Sequence, residues 1–123
     1  SLLIVSVLTV IFSYPKAYTT VNFTIFIVLM FYALLVKDAI LQRFYITFLI
    51  ILVPFFLING ILTGSLLEAP VVWYNNFENL GIRLGTVPVE DVFYAFNLLY
   101  LNLILIGKVK QKIYFCTSAF IRR

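Results

Sequence analysis

Histidine is absent from the 123 residues, and cysteine occurs once, at Cys116. Without imidazole there is no histidine metal site, no Ser-His-Asp triad and no Cys-His dyad. A single cysteine excludes an internal disulfide and a thiolate cluster. Charge is scarce too: 11% of the residues are charged, with 9 Lys and Arg against 5 Asp and Glu, where soluble domains carry about 25%. What fills the chain is apolar. The hydrophobic fraction is 63%, the aromatic fraction 18%, and the mean hydropathy is +1.09. Disorder requires low hydrophobicity, so it is excluded, and a water-soluble domain of this size would leave much of that surface wet. The composition implies an integral membrane protein whose acid–base chemistry rests on carboxyls, lysines and tyrosines.

A membrane-crossing helix needs about 20 mostly apolar residues, and four stretches approach or meet that length. Ser1 to Ser13 is apolar from its first residue and reads as a span whose beginning is missing, or as part of a longer chain. A signal peptide fits poorly, because no basic residues precede the run and no small-residue cleavage site follows it. The second stretch runs from about Thr20 to Val36, the third from about Phe44 to Gly64 with Pro54 and Asn59 inside it, and the fourth from about Val89 to Gly107. The expectation is an all-α, polytopic bundle of about four membrane helices forming a single domain over 1–123.

Three connectors and a tail link these stretches: Tyr14-Pro15-Lys16, a polar turn over Lys37–Arg43, a long segment over Ser65–Val87, and a tail with Lys108, Lys110, Lys112, Arg122 and Arg123. The tail holds five of the nine basic side chains, and positive charge stays cytoplasmic. Both ends and the middle turn are therefore expected in the cytoplasm, with the long connector on the opposite side. The tail reads as an anchor, and Ile113–Ile121 as a stretch able to lie in the bilayer surface. Basic residues beyond an anchoring tail are too few for nucleic-acid binding.

Ionisable groups at membrane depth are costly and mark function by default, which singles out Glu90 and Asp91 at the start of the fourth span. Pro88 suits a first helical turn, with Thr86 or Val87 as the cap. Along the helix, Glu90, Tyr94 and Asn97 share one face, and Asp91, Leu98 and Asn102 a neighbouring stripe. Such a polar side must face helices or a cavity rather than lipid. Burial and an adjacent like charge favour the protonated form of one carboxyl, while the positive helix end favours the anion. A shielded Glu90 is thus a candidate general acid; at the water surface the pair would be no more than a helix cap. Both readings stand on spacing alone.

Other features carry alternatives of their own. Pro54 is expected to kink or loosen the third span. Gly60 and Gly64 form a GxxxG that favours close helix approach, whereas Gly81 and Gly85 read as a turn. The Trp73-Tyr74-Asn75-Asn76 cluster reads as an interfacial anchor; the alternative is that Trp73, Tyr74 and Tyr94 supply π-faces for a cation. Arg83 is a candidate partner for Glu78, Glu90 or Asp91.

The run Asn59-Gly60-Ile61-Leu62-Thr63-Gly64, then Val72-Trp73-Tyr74-Asn75-Asn76, then Gly81-Ile82-Arg83, then Val87-Pro88-Val89-Glu90-Asp91 resembles the membrane-type lycopene cyclase domain of bacteria, archaea and fungi. Its Pro-x-Glu-(Glu/Asp) hallmark is matched by Pro88-Val89-Glu90-Asp91, and the resemblance covers roughly Pro54 to Leu105. It implies an enzyme of two related halves, on one chain or two, that cyclises the ends of lycopene or a related linear carotenoid in the membrane. This chain carries one such motif, so it reads as the second half, in a bacterial cytoplasmic membrane. Glu90 would then be the acid, Asp91 its partner or the final base, and Trp73, Tyr74 and Tyr94 the cation's neighbours. Asn59 and Asn75 would hold the carboxyls, with Arg83 and Asn97 beside the substrate and Pro88, Gly60 and Gly64 as structural parts of the motif. Cyclisation involves no net redox change, and no Gly-x-Gly-x-x-Gly follows a strand, so no cofactor is expected. The competing readings are a non-catalytic membrane assembly subunit and a small transporter with Glu90 as a proton relay.

Overall fold

The computed structural model describes residues 2–36, 39–66, 68–75 and 77–121. Four helices dominate: α1 (Leu2–Ser13), α2 (Ala17–Val36), α3 (Ala39–Leu62) and α4 (Val89–Ile121). One small hairpin, β1 (Arg83–Leu84) with β2 (Val87–Pro88), precedes α4. The protein is the all-α membrane-type bundle that the composition implies, with three helices long and apolar enough to cross a bilayer. α1 is apolar and covers 12 residues, so among the described residues three helices are of span length and the first is shorter, as the four apolar stretches of the sequence lead one to expect.

The burial pattern of each helix explains its place. α2 buries Thr19, Asn22, Phe23, Phe26, Leu29, Met30 and Ala33, a run at three- and four-residue intervals that forms one continuous stripe. α1 packs on α2 and buries two residues, Ser6 and Ser13; such small side chains let backbones come close. α3 buries only Leu41, Phe44 and Phe48. Its opposite face, with Ile46, Leu49, Ile50, Val53 and Leu57, is 64–68% exposed. In water that face would be an aggregation surface; in hydrocarbon it carries no such cost.

An aromatic cluster joins α2, α3 and α4. Phe96 of α4 meets Phe26 at 5.2 Å, Phe44 at 5.0 Å and Phe48 at 5.2 Å between ring centroids, all edge-on. Tyr100, with no exposed surface, stacks on Phe44 at 5.4 Å. Edge-to-face pairs of this kind add to the area they bury.

Several boundaries differ from the sequence expectation. α3 begins at Ala39, so Gln42 and Arg43 lie within its opening turns and not in a polar turn; Lys37 and Asp38 fall outside the described residues. α3 also continues past Pro54 to Leu62. α4 is one helix of 33 residues, about 50 Å at 1.5 Å per residue, longer than the roughly 30 Å hydrocarbon core. The basic tail is therefore the projecting end of α4 as far as Ile121, with Arg122 and Arg123 outside the described residues. Near the point where it leaves the apolar run, Lys108 Nζ sits 4.8 Å above the Tyr32 ring, a cation–π contact.

Gly60 and Gly64 do not form a helix–helix contact. Gly64 adopts φ +101° and ends α3: its N–H bonds Ile61 O at 3.1 Å, and Ser65 N–H bonds Gly60 O at 2.8 Å. That pair of bonds is the Schellman motif, which requires a left-handed residue at this position. A Cβ on Gly60 would meet the Ser65 side chain at 3.4 Å rather than another helix.

Because Phe96 is the hub of the three-helix contact, Phe96→Ala should cost about 3–5 kcal/mol. The check is the midpoint of thermal unfolding in detergent, compared with Leu49→Ala on the exposed face of α3, which should leave it nearly unchanged.

Candidate functional site

The connector between α3 and α4 folds back over one end of the bundle and ties to three helices. It meets α3 where Val71 and Val72 N–H bond Leu62 O at 2.9 and 3.0 Å. At α2, Glu78 O accepts from Thr19 N–H at 3.4 Å, and Glu78 Oε2 accepts from Ala17 N–H at 3.3 Å. A carboxylate there satisfies an otherwise free helix donor and complements the positive helix end. The hairpin turn Gly85-Thr86 relies on Gly85 at φ +67°, the conformation that two-residue hairpin loops demand. Thr86 Oγ1 lies 2.6 Å from Thr63 Oγ1 and 2.7 Å from Ser65 Oγ, which fastens the hairpin to the end of α3. Pro88 closes the hairpin, paired with Arg83, and Val89 starts the helix; Pro88 thus stands one position ahead of the first turn where it was expected.

This arrangement buries the acidic pair. Glu90 has 0% and Asp91 6% of its surface exposed. Glu90 Oε1 accepts from Thr19 Oγ1 at 2.8 Å and from the backbone N–H of Leu80. Among the described residues Glu90 Oε2 is buried with no hydrogen-bond partner. Asp91 is held differently: Tyr18 OH donates to Oδ1 at 2.7 Å and Tyr74 OH to Oδ2. Asp91 is thus an acceptor at both oxygens, the role an ionised carboxylate fills. Burial, then the hydrogen bond and charge of Asp91, push the Tyr74 hydroxyl well above the ordinary tyrosine value of 10.0, with Arg83 acting weakly in the opposite sense.

One turn deeper the polar seam continues. Asn22 Nδ2 donates to Glu90 O, and Asn97 Nδ2 donates to Asn22 O and Oδ1, both at 2.9 Å. Asn97 Oδ1 is buried and has no partner among the described residues. Beside this seam, α2 and α4 enclose a groove of about 220 Å³ lined by Tyr18, Asn22, Tyr94, Asn97 and apolar residues that include Ile25 and Leu98.

Of the residues singled out from sequence, the structure gathers Glu90, Asp91, Tyr74 and Asn97 into one seam and sets Tyr94, 53% exposed, on the groove wall. Trp73 is not drawn into the seam and stands 81% exposed in the connector. Asn59 turns back along α3 to Phe55 O at 3.0 Å, and Asn75 Oδ1 accepts from Phe77 N–H at 3.1 Å; both serve local backbone in place of the expected carboxyl contacts. Asn76 lies outside the described residues. Arg83 Nη1 donates to Thr86 O at 3.1 Å within the hairpin. Asn102 is exposed and bonds Leu98 O, so the neighbouring stripe joins the seam at Asp91 alone.

Sequence reasoning missed Tyr18, Thr19 and Asn22, which supply α2's half of the seam. The signal was available: polar side chains, Tyr18, Thr19, Thr20, Asn22 and Thr24, crowd the start of a span that is apolar beyond them, with Tyr18 and Asn22 four residues apart on one face. It also missed Leu80, whose contribution is a backbone N–H and carries no side-chain signature.

Fold and site together define a polytopic membrane protein with a buried carboxyl pair beside an apolar groove. The lycopene cyclase family model matches residues 15–108, more than half of the chain, and the chain belongs to that family. Membership assigns it a carotenoid cyclase role and a carotenoid substrate. No curated protein and no solved structure matches it.

Two measurements check the geometry. Asn22→Ala removes the donor to Glu90 O and the side-chain acceptor of Asn97 Nδ2, while the main-chain Asn22 O remains; leaving Glu90 O unpaired costs about 1–3 kcal/mol, and the unfolding midpoint in detergent should fall accordingly. Tyr74 ionises near 10 when unfolded and higher when folded, so its contribution is complete below that pH and is lost as pH rises through the folded value. Between pH 8 and 11 the wild type should therefore lose more thermal stability than Tyr74→Phe.

Proposed function

We propose that this chain is one half of a two-half lycopene β-cyclase-type intramolecular lyase, an isomerase, in a bacterial cytoplasmic membrane. The second half lies on the same chain or on a separate subunit. The observation that carries the reading is Glu90: a carboxyl shut off from water at the end of a membrane bundle, with Oε2 lacking a hydrogen-bond partner among the described residues.

Cyclising an acyclic hydrocarbon end needs a proton delivered to a terminal double bond, ring closure through a carbocation and removal of a proton. Atoms and electrons balance without an oxidant or reductant. Glu90 is the acid in this proposal. Its Oε1 is occupied by Thr19 and Leu80, which leaves Oε2 as the oxygen able to carry a transferable proton. Exclusion of water matters twice: it keeps the proton from exchanging into solvent, and it keeps the cation from being quenched. Asp91, held as an acceptor at both oxygens, suits the opposite task of taking a proton at the end. The groove between α2 and α4 provides apolar walls and the ring faces of Tyr18 and Tyr94, whose π-electrons stabilise positive charge. Its volume of about 220 Å³ is below the roughly 300–1,000 Å³ of sites for drug-sized ligands. It therefore takes an end group and leaves the remainder of the polyene in the bilayer or against the other half.

The test is expression of the native protein with its partner half in a lycopene-producing bacterium. Wild type should turn red cells orange. Glu90→Gln should abolish ring formation, with membrane levels unchanged by immunoblot. An undiminished yield of cyclic carotenoid from Glu90→Gln would remove Glu90 from the role.

A further inference from the structure

We propose that a groove at the basic end of α4 binds one anionic phospholipid, with the headgroup phosphate on Lys108 and the start of an acyl chain beside Gly107. The proposal rests on the membrane fold alone and is independent of the cyclase chemistry at the other end of the bundle. The groove has a volume of about 160 Å³ and lies where three helices meet: Tyr32 and Val36 come from α2, Ile40 from α3, and Gly107, Lys108 and Gln111 from α4. Its lining is mixed. Aliphatic side chains form one part, and an ammonium, a phenol and a carboxamide supply hydrogen-bond donors in the other. The contact of Lys108 Nζ with the Tyr32 ring, 4.8 Å from its centroid, keeps the ammonium beside the groove. Gly107 leaves room there: a Cβ built on it meets nothing within 4 Å.

Depth and charge identify the occupant. From Val89 to Lys108 α4 runs about 20 residues, or about 30 Å at 1.5 Å per residue, which equals the thickness of the hydrocarbon core. With the start of α4 at one interface, Lys108 therefore reaches the headgroup level of the other. The sequence segments 37–43 and 108–121 at that end carry five of the nine basic side chains and one of the five acidic ones. α4 has no carboxylate after Asp91. Lys110 and Lys112 are exposed and, by the helical period, stand on either side of the groove face. Such a field attracts a phosphodiester with no cation of its own, and basic pockets between membrane helices suit anionic headgroups. A zwitterionic headgroup would bring a second ammonium among the lysines. A free phosphate would satisfy Lys108 and leave the aliphatic wall of Val36 and Ile40 uncovered. A phospholipid with net negative charge meets both parts of the lining at once.

The test uses the full chain purified in a non-ionic detergent. Phosphatidylglycerol and phosphatidylcholine with identical acyl chains are titrated separately, bound lipid is counted by native mass spectrometry, and the thermal unfolding midpoint is followed in parallel. Wild type should retain one phosphatidylglycerol per chain, and only that lipid should raise the midpoint. Lys108→Gln should weaken its binding by about five-fold, the weight of one basic side chain at an anionic surface, and leave phosphatidylcholine unchanged. Gly107→Leu keeps every charge and fills the groove. It should abolish retention of the lipid without lowering the midpoint measured in its absence, because leucine is the better helix former and meets no neighbour there. Lys16→Gln makes the same change in net charge at the other end of the bundle and should bind phosphatidylglycerol as wild type does. Equal binding of the two lipids by wild type overturns the charge contact. A loss in Lys16→Gln as large as that in Lys108→Gln overturns the site, because it reduces binding to a general attraction. Full retention by Gly107→Leu overturns the groove as the place of binding. Displacement of the lipid by an equal concentration of inorganic phosphate overturns the choice of a phospholipid over the free anion. Should one of the two α4 variants fail to accumulate, the other decides between the site and a general attraction.

Discussion

A carboxyl with no exposed surface must find its polar partners inside the protein, or its burial costs several kcal/mol. Glu90 meets that demand at Oε1, with Thr19 from α2 and the Leu80 amide from the connector. These contacts couple elements far apart in sequence. α2 must lie against α4 in one register for Thr19 and Asn22 to reach Glu90. The connector must fold back over the bundle end for Leu80 to do so. The Thr63–Thr86 contact and the Glu78 cap on α2 then hold that folded connector from both sides. The aromatic cluster around Phe96 supplies bulk cohesion, but the polar seam fixes how α2 and α4 align.

The two carboxyls are neighbours in sequence and opposites in environment. Glu90 keeps one oxygen free in a closed position, while Asp91 is gripped by a phenol at each oxygen. Adjacent positions on a helix point about 100° apart, so each carboxyl meets its own pair of donors: Thr19 and the Leu80 amide for Glu90, Tyr18 and Tyr74 for Asp91. A pair of acids with distinct surroundings can divide acid and base duties, a pattern common to enzymes that run both steps with carboxyls.

The membrane class and the helix count were legible because apolar runs of span length have few other uses. The carboxyl pair was legible for the complementary reason, that charge at a span's start stands out. What could not be read is whatever depends on third-dimensional return. Gly60 and Gly64 have the spacing of a helix-packing motif and act as the end of α3, because a Schellman turn and a GxxxG share the same letters. Asn59 and Asn75 lie near the motif in sequence yet serve local backbone. Trp73 belongs to the resembling run but stands exposed in the connector. Tyr18 and Asn22 lie some 70 residues before the acids they serve, and only the packing of α2 on α4 brings them together. The length of α4 was underestimated because lysines after Gly107 suggested a tail, whereas lysine is a good helix former once outside the hydrocarbon.

The bond from Leu80 to Glu90 is made by main chain, and that alters how the site can vary. Almost any side chain at position 80 can offer the same amide, proline excepted. The spacing between that amide and Glu90 has no such freedom: adding or deleting one residue in the hairpin would swing the donor away from Oε1. In this corner of the molecule chain length, and not residue identity, is the inherited quantity.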